Sequence, residues 1–364
     1  MRDELIFGCV VAVRFAVPLI ILRYPLPGII AAITVDADKA LLRAYTSLPL
    51  DNYQFYDKSL DVFYLSIAYV ATLRNWRDPT AVMIGRFLWF YRLIGVSLFA
   101  LVGDHRLLFL FPAAFEFYFI FYETVRVRWA ANRFTGSDLL LVAAIAWILK
   151  LPQEYWLHVA RYGTTAWAER NIYRIDPSTR QLWLIPAVLA LTGALVLLVR
   201  FVLRKLPPAD HRRCFDANKH DPTAGQLLGR ARSVEPIRTP ALVEKIGLVT
   251  LVGMVFTEFI PGIDASTVQI TFGLAFLVVA NAVLSVWFAG QGSRWRSPTG
   301  DFAATCAINA PIMLALSVAA GWANASVAIW TALFFVLLVS LLIGLHDRYR
   351  QVNQWRQLGA DDGL

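Results

Sequence analysis

Read for its alternation of apolar and polar positions, the chain is a series of long apolar runs broken by short charged stretches. Candidate membrane spans fall at about 5–22, 26–35, 60–74, 82–102, 106–125, 137–150, 182–203, 246–262, 268–289, 303–320 and 326–345. Most approach the roughly 20 residues that a helix needs to cross a hydrocarbon core. The run at 26–35 is short, and RYPLPG before it, with two prolines and a glycine, predicts a tight turn or kink. That segment either crosses fully or re-enters. The fold class expected is all-α: a polytopic integral membrane protein with about ten (nine to eleven) transmembrane helices. A β-barrel would need short alternating segments, and these runs are continuous.

Composition agrees with the pattern. The 364 residues are 58% hydrophobic and 16% charged, against about 25% charged in a soluble domain. The formal net charge of +8 lies mostly in the loops, where it sets topology and does not signal nucleic acid. The connection 204–245 holds nine Lys and Arg, PGIDAS (261–266) none, GQGSRWRSP (290–298) two Arg, and GWANAS (321–326) none. This alternation places 204–245 and the C-terminal tail in the cytoplasm of a cell-membrane protein. Counting backwards puts Arg74, Arg77, Arg126, Arg128 and Arg133 on the same side, and the acidic stretch 36–60 outside. The division expected is a charged, aromatic membrane domain at 1–203, a basic loop at 204–245, an apolar four-helix domain at 246–346 and a tail at 347–364. Cys9, Cys214 and Cys306 are too scattered for a disulfide framework or a CxxC knuckle, and His211, Cys214 and His220 match no zinc module. No Walker loop, GxGxxG, GxSxG or HExxH is present.

The candidate chemistry sits in the N-terminal half. Asp36 and Asp38 end one apolar segment, and Asp57 and Asp61, four apart, share one face at the start of the next. A hairpin between them would gather carboxylates able to hold Mg2+ or Mn2+ through oxygen. The bland alternative is that Asp57 and Asp61 favour a helix N-terminus and pair with Lys39, Arg43 or Lys58. The spacing of Asp36, Asp57 and Asp61 resembles the first, third and fourth Asp of the CDP-alcohol phosphotransferase motif, and Arg14 and Pro18 resemble that family's Arg-x-x-x-Pro. The chain departs from it at Lys39, Ala40, Tyr53 and the reversed Arg43–Ala44. The resemblance implies metal binding by the three Asp and substrate binding by Arg14 and Arg43.

Further along, Glu116 and Glu123 are two helical turns apart in an aromatic span, with Arg86 and Arg92 in the preceding span as expected partners. Lys150, Glu154 and His158 are spaced by four, a pattern suited to general acid–base work or proton relay. The plainer reading starts a new helix at Pro152 and lets Lys150 reach the interface. FLFPAAFEFYFIFYE (109–123) and ILKLPQEYWLHVARY (148–162) look like segments of uncharacterised actinobacterial multi-pass membrane proteins, a family with no assigned activity. Two functional classes follow. One binds or acts on a lipid-linked or phosphate-bearing substrate with a divalent metal. The other is a transporter, a channel-type protein or a non-enzymatic accessory protein. The partners expected are the bilayer, a lipid-linked substrate and other membrane proteins, without nucleic acid.

Overall fold

The computed structural model describes residues 2–36, 38–46, 53–129, 134–160, 208–210, 214–230, 239–258, 262–290, 298–322 and 326–361, with a few isolated positions besides. The span expected at 182–203 and the Arg133 position lie outside the described residues. In chain order the helices are α1 (Arg2–Ala16), a 3-10 turn (Val17–Leu22), α2 (Pro25–Asp36), α3 (Asp38–Tyr45), α4 (Tyr53–Asn75), α5 (Pro79–Val102), α6 (Arg106–Leu110), α7 (Ala114–Arg128) and α8 (Gly136–Glu154). A π-helical turn (Tyr155–Val159) extends α8. There follow α9 (Ala217–His220), α10 (Pro222–Arg230), α11 (Thr239–Thr257), α12 (Thr267–Gly290), α13 (Pro298–Trp322) and α14 (Ile329–Asp361). Besides these, Ile263 and Asp264 pair antiparallel with Val327 and Ser326 in a two-residue ladder that ties α11–α12 to α13–α14. Among the described residues, eight helical segments are long and apolar enough to cross a membrane. Apart from that ladder, the regular structure of the described residues is helical, as the pattern requires.

The helix at the centre is not the most apolar one. From Ser59 to Asn75 nearly every residue of α4 is buried, ringed by α2, α5, α11, α14 and the 3-10 turn. Its polar side chains survive burial because they bond the helix's own carbonyls: Ser59 to Phe55, Ser66 to Val62 and Thr72 to Tyr69. By contrast α12 and α13 expose Val268, Phe272, Phe276, Leu314 and Val318. In a bilayer these are lipid contacts. The C-terminal helices are not joined by apolar packing alone. Asn281 donates to Asn309 at 2.8 Å, and Asn309 donates to Ser340 at 2.9 Å, linking α12, α13 and α14 inside the bundle.

The RYPLPG turn resolves as a reversal. Tyr24 and Arg23 close it through N–H bonds to the Ile20 carbonyl, and α2 then runs back along the 3-10 turn. Twelve residues rise only about 18 Å, short of a full crossing. Gly28 permits the contact, since a Cβ there would lie 2.6 Å from the Ile21 backbone nitrogen. Backbone cannot yield as a side-chain tip does. Gly28→Ala is therefore expected to cost about 1–3 kcal/mol, seen as a lowered thermal midpoint in detergent.

The arginines that the sequence assigns to one side do gather at one end. Arg23 pairs with Asp216, Arg77 with Asp221 at 2.7 Å, and Arg356 with Asp221 at 2.5 Å, while Asp210 N–H bonds the Arg128 carbonyl. Burial alone would raise the Asp221 carboxyl. Hydrogen bonds from Arg77 and Thr223 and the charge of Arg356 outweigh it and hold the group below its ordinary value. A depressed carboxyl stabilises the fold fully above the unfolded value of about 4 and loses that contribution as pH falls through the folded value. The thermal midpoint of the wild type is accordingly expected to drop below about pH 4 more steeply than that of Asp221→Asn. Parallel curves would contradict the assignment.

Candidate metal centre

At the other end of α4 the acids converge. The guanidinium of Arg14, 3% exposed, is surrounded by four carboxylates: Asp36 in direct contact, Asp38 at 3.2 Å, Asp61 at 3.5 Å and Asp57 at 3.7 Å. Four elements bring them together. Arg14 lies in the last turn of α1, Asp36 ends the reversed α2, Asp38 opens α3, and Asp57 and Asp61 lie on one face of α4. One oxygen each of Asp36, Asp57 and Asp61 lies within 4.8 Å of the others. Lys58 bridges Asp57 at 3.0 Å and Asp61 at 2.7 Å. Asp38 is committed differently: it accepts hydrogen bonds from the hydroxyls of Tyr53 and Tyr56, the latter at 2.8 Å. Lys39 lies over the Tyr53 ring at 4.7 Å.

The helix-N-terminus account of these acids does not hold. Helix α4 begins at Tyr53, so Asp57 and Asp61 sit in its second and third turns, too far along for the end of the helix to explain them. Asp61 precedes Asn75 by 14 residues, Asp57 precedes it by 18, and Asp36 follows Pro25 by 11, which sets the three carboxylates about 17–27 Å from the arginine-rich end along the helix axes. Arg14 and Lys58 are the two basic groups that face the four carboxyl groups in these pairings. Asp36, with 31% of its side chain exposed, Asp57 with 20% and Asp61 with 16% keep an open side. Three convergent carboxyl oxygens and an open side suit a hard divalent cation. The side chain of Arg43 lies outside what is described.

A second polar group adjoins it. Helix α8 does not restart at Pro152. It runs on through it, and the π-helical turn carries the chain to His158. Lys150, Glu154 and His158 are all buried, at 7%, 3% and 5% exposure, so Lys150 does not reach the interface. Lys150 pairs with Glu116 at 3.3 Å and lies over the Phe117 ring. Glu154 faces Arg92 at 3.8 Å and His158 Nε2 at 3.1 Å, and accepts the Ala113 N–H. Arg92 also donates to the Leu108 and Phe111 carbonyls, which pins the break between α6 and α7. Lys58 lies within electrostatic range of both Arg92 and Glu154, so this group and the carboxylate centre share one field.

The expected pairing of Glu116 with Arg86 or Arg92 is not what forms. Arg86 turns to Glu244, and Glu123 is held by Arg126 and by the Trp76 indole N–H at 2.8 Å. Sequence reasoning missed Glu244, which gathers Tyr69, Arg86, His346 and Arg350, and Asp347, which pairs with Lys245 at 2.5 Å. Its signal was a Glu–Lys step just inside α11, read as the end of the basic loop, and a His–Asp step within α14, read as the junction of the membrane domain and the tail. No protein-family model, curated protein or solved structure matches this chain. The architecture and the site rest on their own geometry.

Proposed function

We propose that the protein is a polytopic membrane protein of about ten spans. It holds a divalent cation, Mg2+ or Mn2+, through Asp36, Asp57 and Asp61, and acts on a lipid-linked, phosphate-bearing substrate. The span count adds α4 and the segment 182–203 to the eight apolar helices. The positive-inside alternation places the C-terminus and the 204–245 connection in the cytoplasm and the carboxylate centre toward the other leaflet. The observation that carries the reading is the convergence of three carboxylate oxygens within 4.8 Å, next to an open side. A divalent ion bound there would polarise a phosphoryl group. The chain's own groups do the rest. Arg14 fixes the angle between Asp36 and Asp61, Tyr53 and Tyr56 hold Asp38, and Lys58 offers a positive charge to an approaching phosphate.

One observation favours the second class, a transporter, channel-type or accessory protein: each of the three carboxylates already has a cationic partner within 4 Å. The two readings part in a turnover assay. Detergent-solubilised protein with lipid phosphates and lipid pyrophosphates is expected to release or transfer phosphate only with Mg2+ or Mn2+. Asp57→Asn is expected to lower the rate at least about 100-fold, beyond what losing a group behind a metal ligand costs. Equal rates in wild type and variant, or no turnover of any such substrate, would count for the second class.

A further inference from the structure

A separate group of side chains, at the end of α4 away from the carboxylates, is donor-rich and acceptor-poor. Four guanidinium groups meet there: Arg74, Arg77 and Arg126 all lie within electrostatic range of Arg356. Among the described residues their carboxylate partners are two. Asp221 takes Arg77 and Arg356, and Glu123 takes Arg126. Arg74 meets no carboxylate among the described residues. It donates to the Leu22 carbonyl and the Asn218 side chain and lies over the Tyr349 ring. Nitrogens are left over. Arg74 Nε, Arg126 Nη1 and Arg356 Nε are buried and bond no acceptor among the described residues, and the same holds for the Asn75 amide nitrogen. Arg74, Asn75 and Arg126 are 4%, 4% and 6% exposed.

These positions share one locus. Arg356 donates to the carbonyls of Arg74 and Trp76, and Trp76 donates to the same Glu123 that Arg126 holds. Arg23 and Arg77, with 60% and 58% of their side chains exposed, carry the positive charge out to the surface. Leaving cationic N–H groups buried and unbonded is costly, and each such case calls for an explanation. A water molecule would accept from one or two of the donors but would not offset the charge. An oxyanion does both, since it accepts only and carries the opposite sign, and guanidinium groups match its geometry.

We infer that the Arg74–Arg77–Arg126–Arg356 cluster is a binding site for a phosphate group, distinct from the carboxylate centre and at the opposite end of α4. The phosphate has two sources, an anionic lipid headgroup in the leaflet beside it or a free phosphate from the aqueous phase. The full chain in neutral detergent would be titrated with inorganic phosphate, and the chain in bilayer discs of phosphatidylcholine compared with discs containing phosphatidylglycerol. Thermal midpoint and native mass spectrometry are the readouts. A raised midpoint with inorganic phosphate assigns the free anion. A rise only with phosphatidylglycerol, with that lipid retained in the mass spectrum, assigns the headgroup. In either case Arg74→Gln is expected to weaken binding about 10-fold. Arg77→Gln, at a half-exposed position, is expected to weaken it as well. No response to either probe, or a response unchanged in both variants, would overturn the proposal.

Discussion

Arg14→Gln protein is expected to unfold well below the wild type in metal-free detergent solution and to recover most of the loss when Mn2+ or Mg2+ is added. Arg14 is the cation on which Asp36, Asp38, Asp57 and Asp61 all close. Removing one partner of a buried ion pair costs about 3–5 kcal/mol, because the remaining charge is left buried and unpaired. Here four carboxylates lose it together, with Lys58 beside two of them. A divalent ion meeting Asp36, Asp57 and Asp61 would replace the lost charge, and a ligand that binds only the folded state raises the midpoint by mass action. A purely structural cluster predicts the same fall without the rescue. The measurement is the thermal midpoint of the variant against metal concentration, with Na+ at matched ionic strength as the control.

Arg92→Met is expected to be as damaging, by about 3–5 kcal/mol, and divalent ions are not expected to repair it. Arg92 is 4% exposed and serves three groups at once: Glu154 and the carbonyls of Leu108 and Phe111. Its loss strands the Glu154 charge and leaves two carbonyls short of a donor where α6 gives way to α7. The double variant Arg92→Met/Glu154→Gln removes the stranded charge and is expected to be more stable than Arg92→Met alone. If the double variant loses the sum of the two single losses, the groups are not coupled. Because Lys58 shares the field of this pair, Arg92→Met is also expected to change metal affinity at the carboxylate centre.

Much of this architecture is legible in the chain, and the parts that are not fail for identifiable reasons. Apolar run length announces the helices, and arginine distribution announces which loops share a face. The gathering of Arg23, Arg74, Arg77, Arg128 and Arg356 at one end follows that distribution. The spacing of Asp36, Asp57 and Asp61 was enough to name the three residues that converge. The family resemblance put Arg14 at the same site as a substrate ligand, but nothing in the spacing could reveal that it pairs with the carboxylates themselves. Arg14 is brought there by the reversal at RYPLPG, and only tertiary packing decides how closely α2 returns along the 3-10 turn.

The pairings of Glu116 and Arg92 were not legible either. Neighbouring spans suggested each other, but a proline inside α8 was read as a break. The continuous helix instead delivers Lys150 and Glu154 to those partners. The same limit hides Glu244, whose partners come from α4, α5 and α14. A charge in a membrane helix announces that it has a partner, but not which one.

The central claim is that Asp36, Asp57 and Asp61 hold a divalent cation, and direct Mn2+ binding tests it best. Purified wild type and an Asp57→Asn/Asp61→Asn variant would be titrated with Mn2+ and followed by the loss of free-ion electron paramagnetic resonance signal, with Mg2+ as competitor. The account predicts saturable binding of about one ion per chain, displaced by Mg2+ and lost in the variant. A folded wild type that binds no Mn2+, or a variant that binds it equally well, would contradict it.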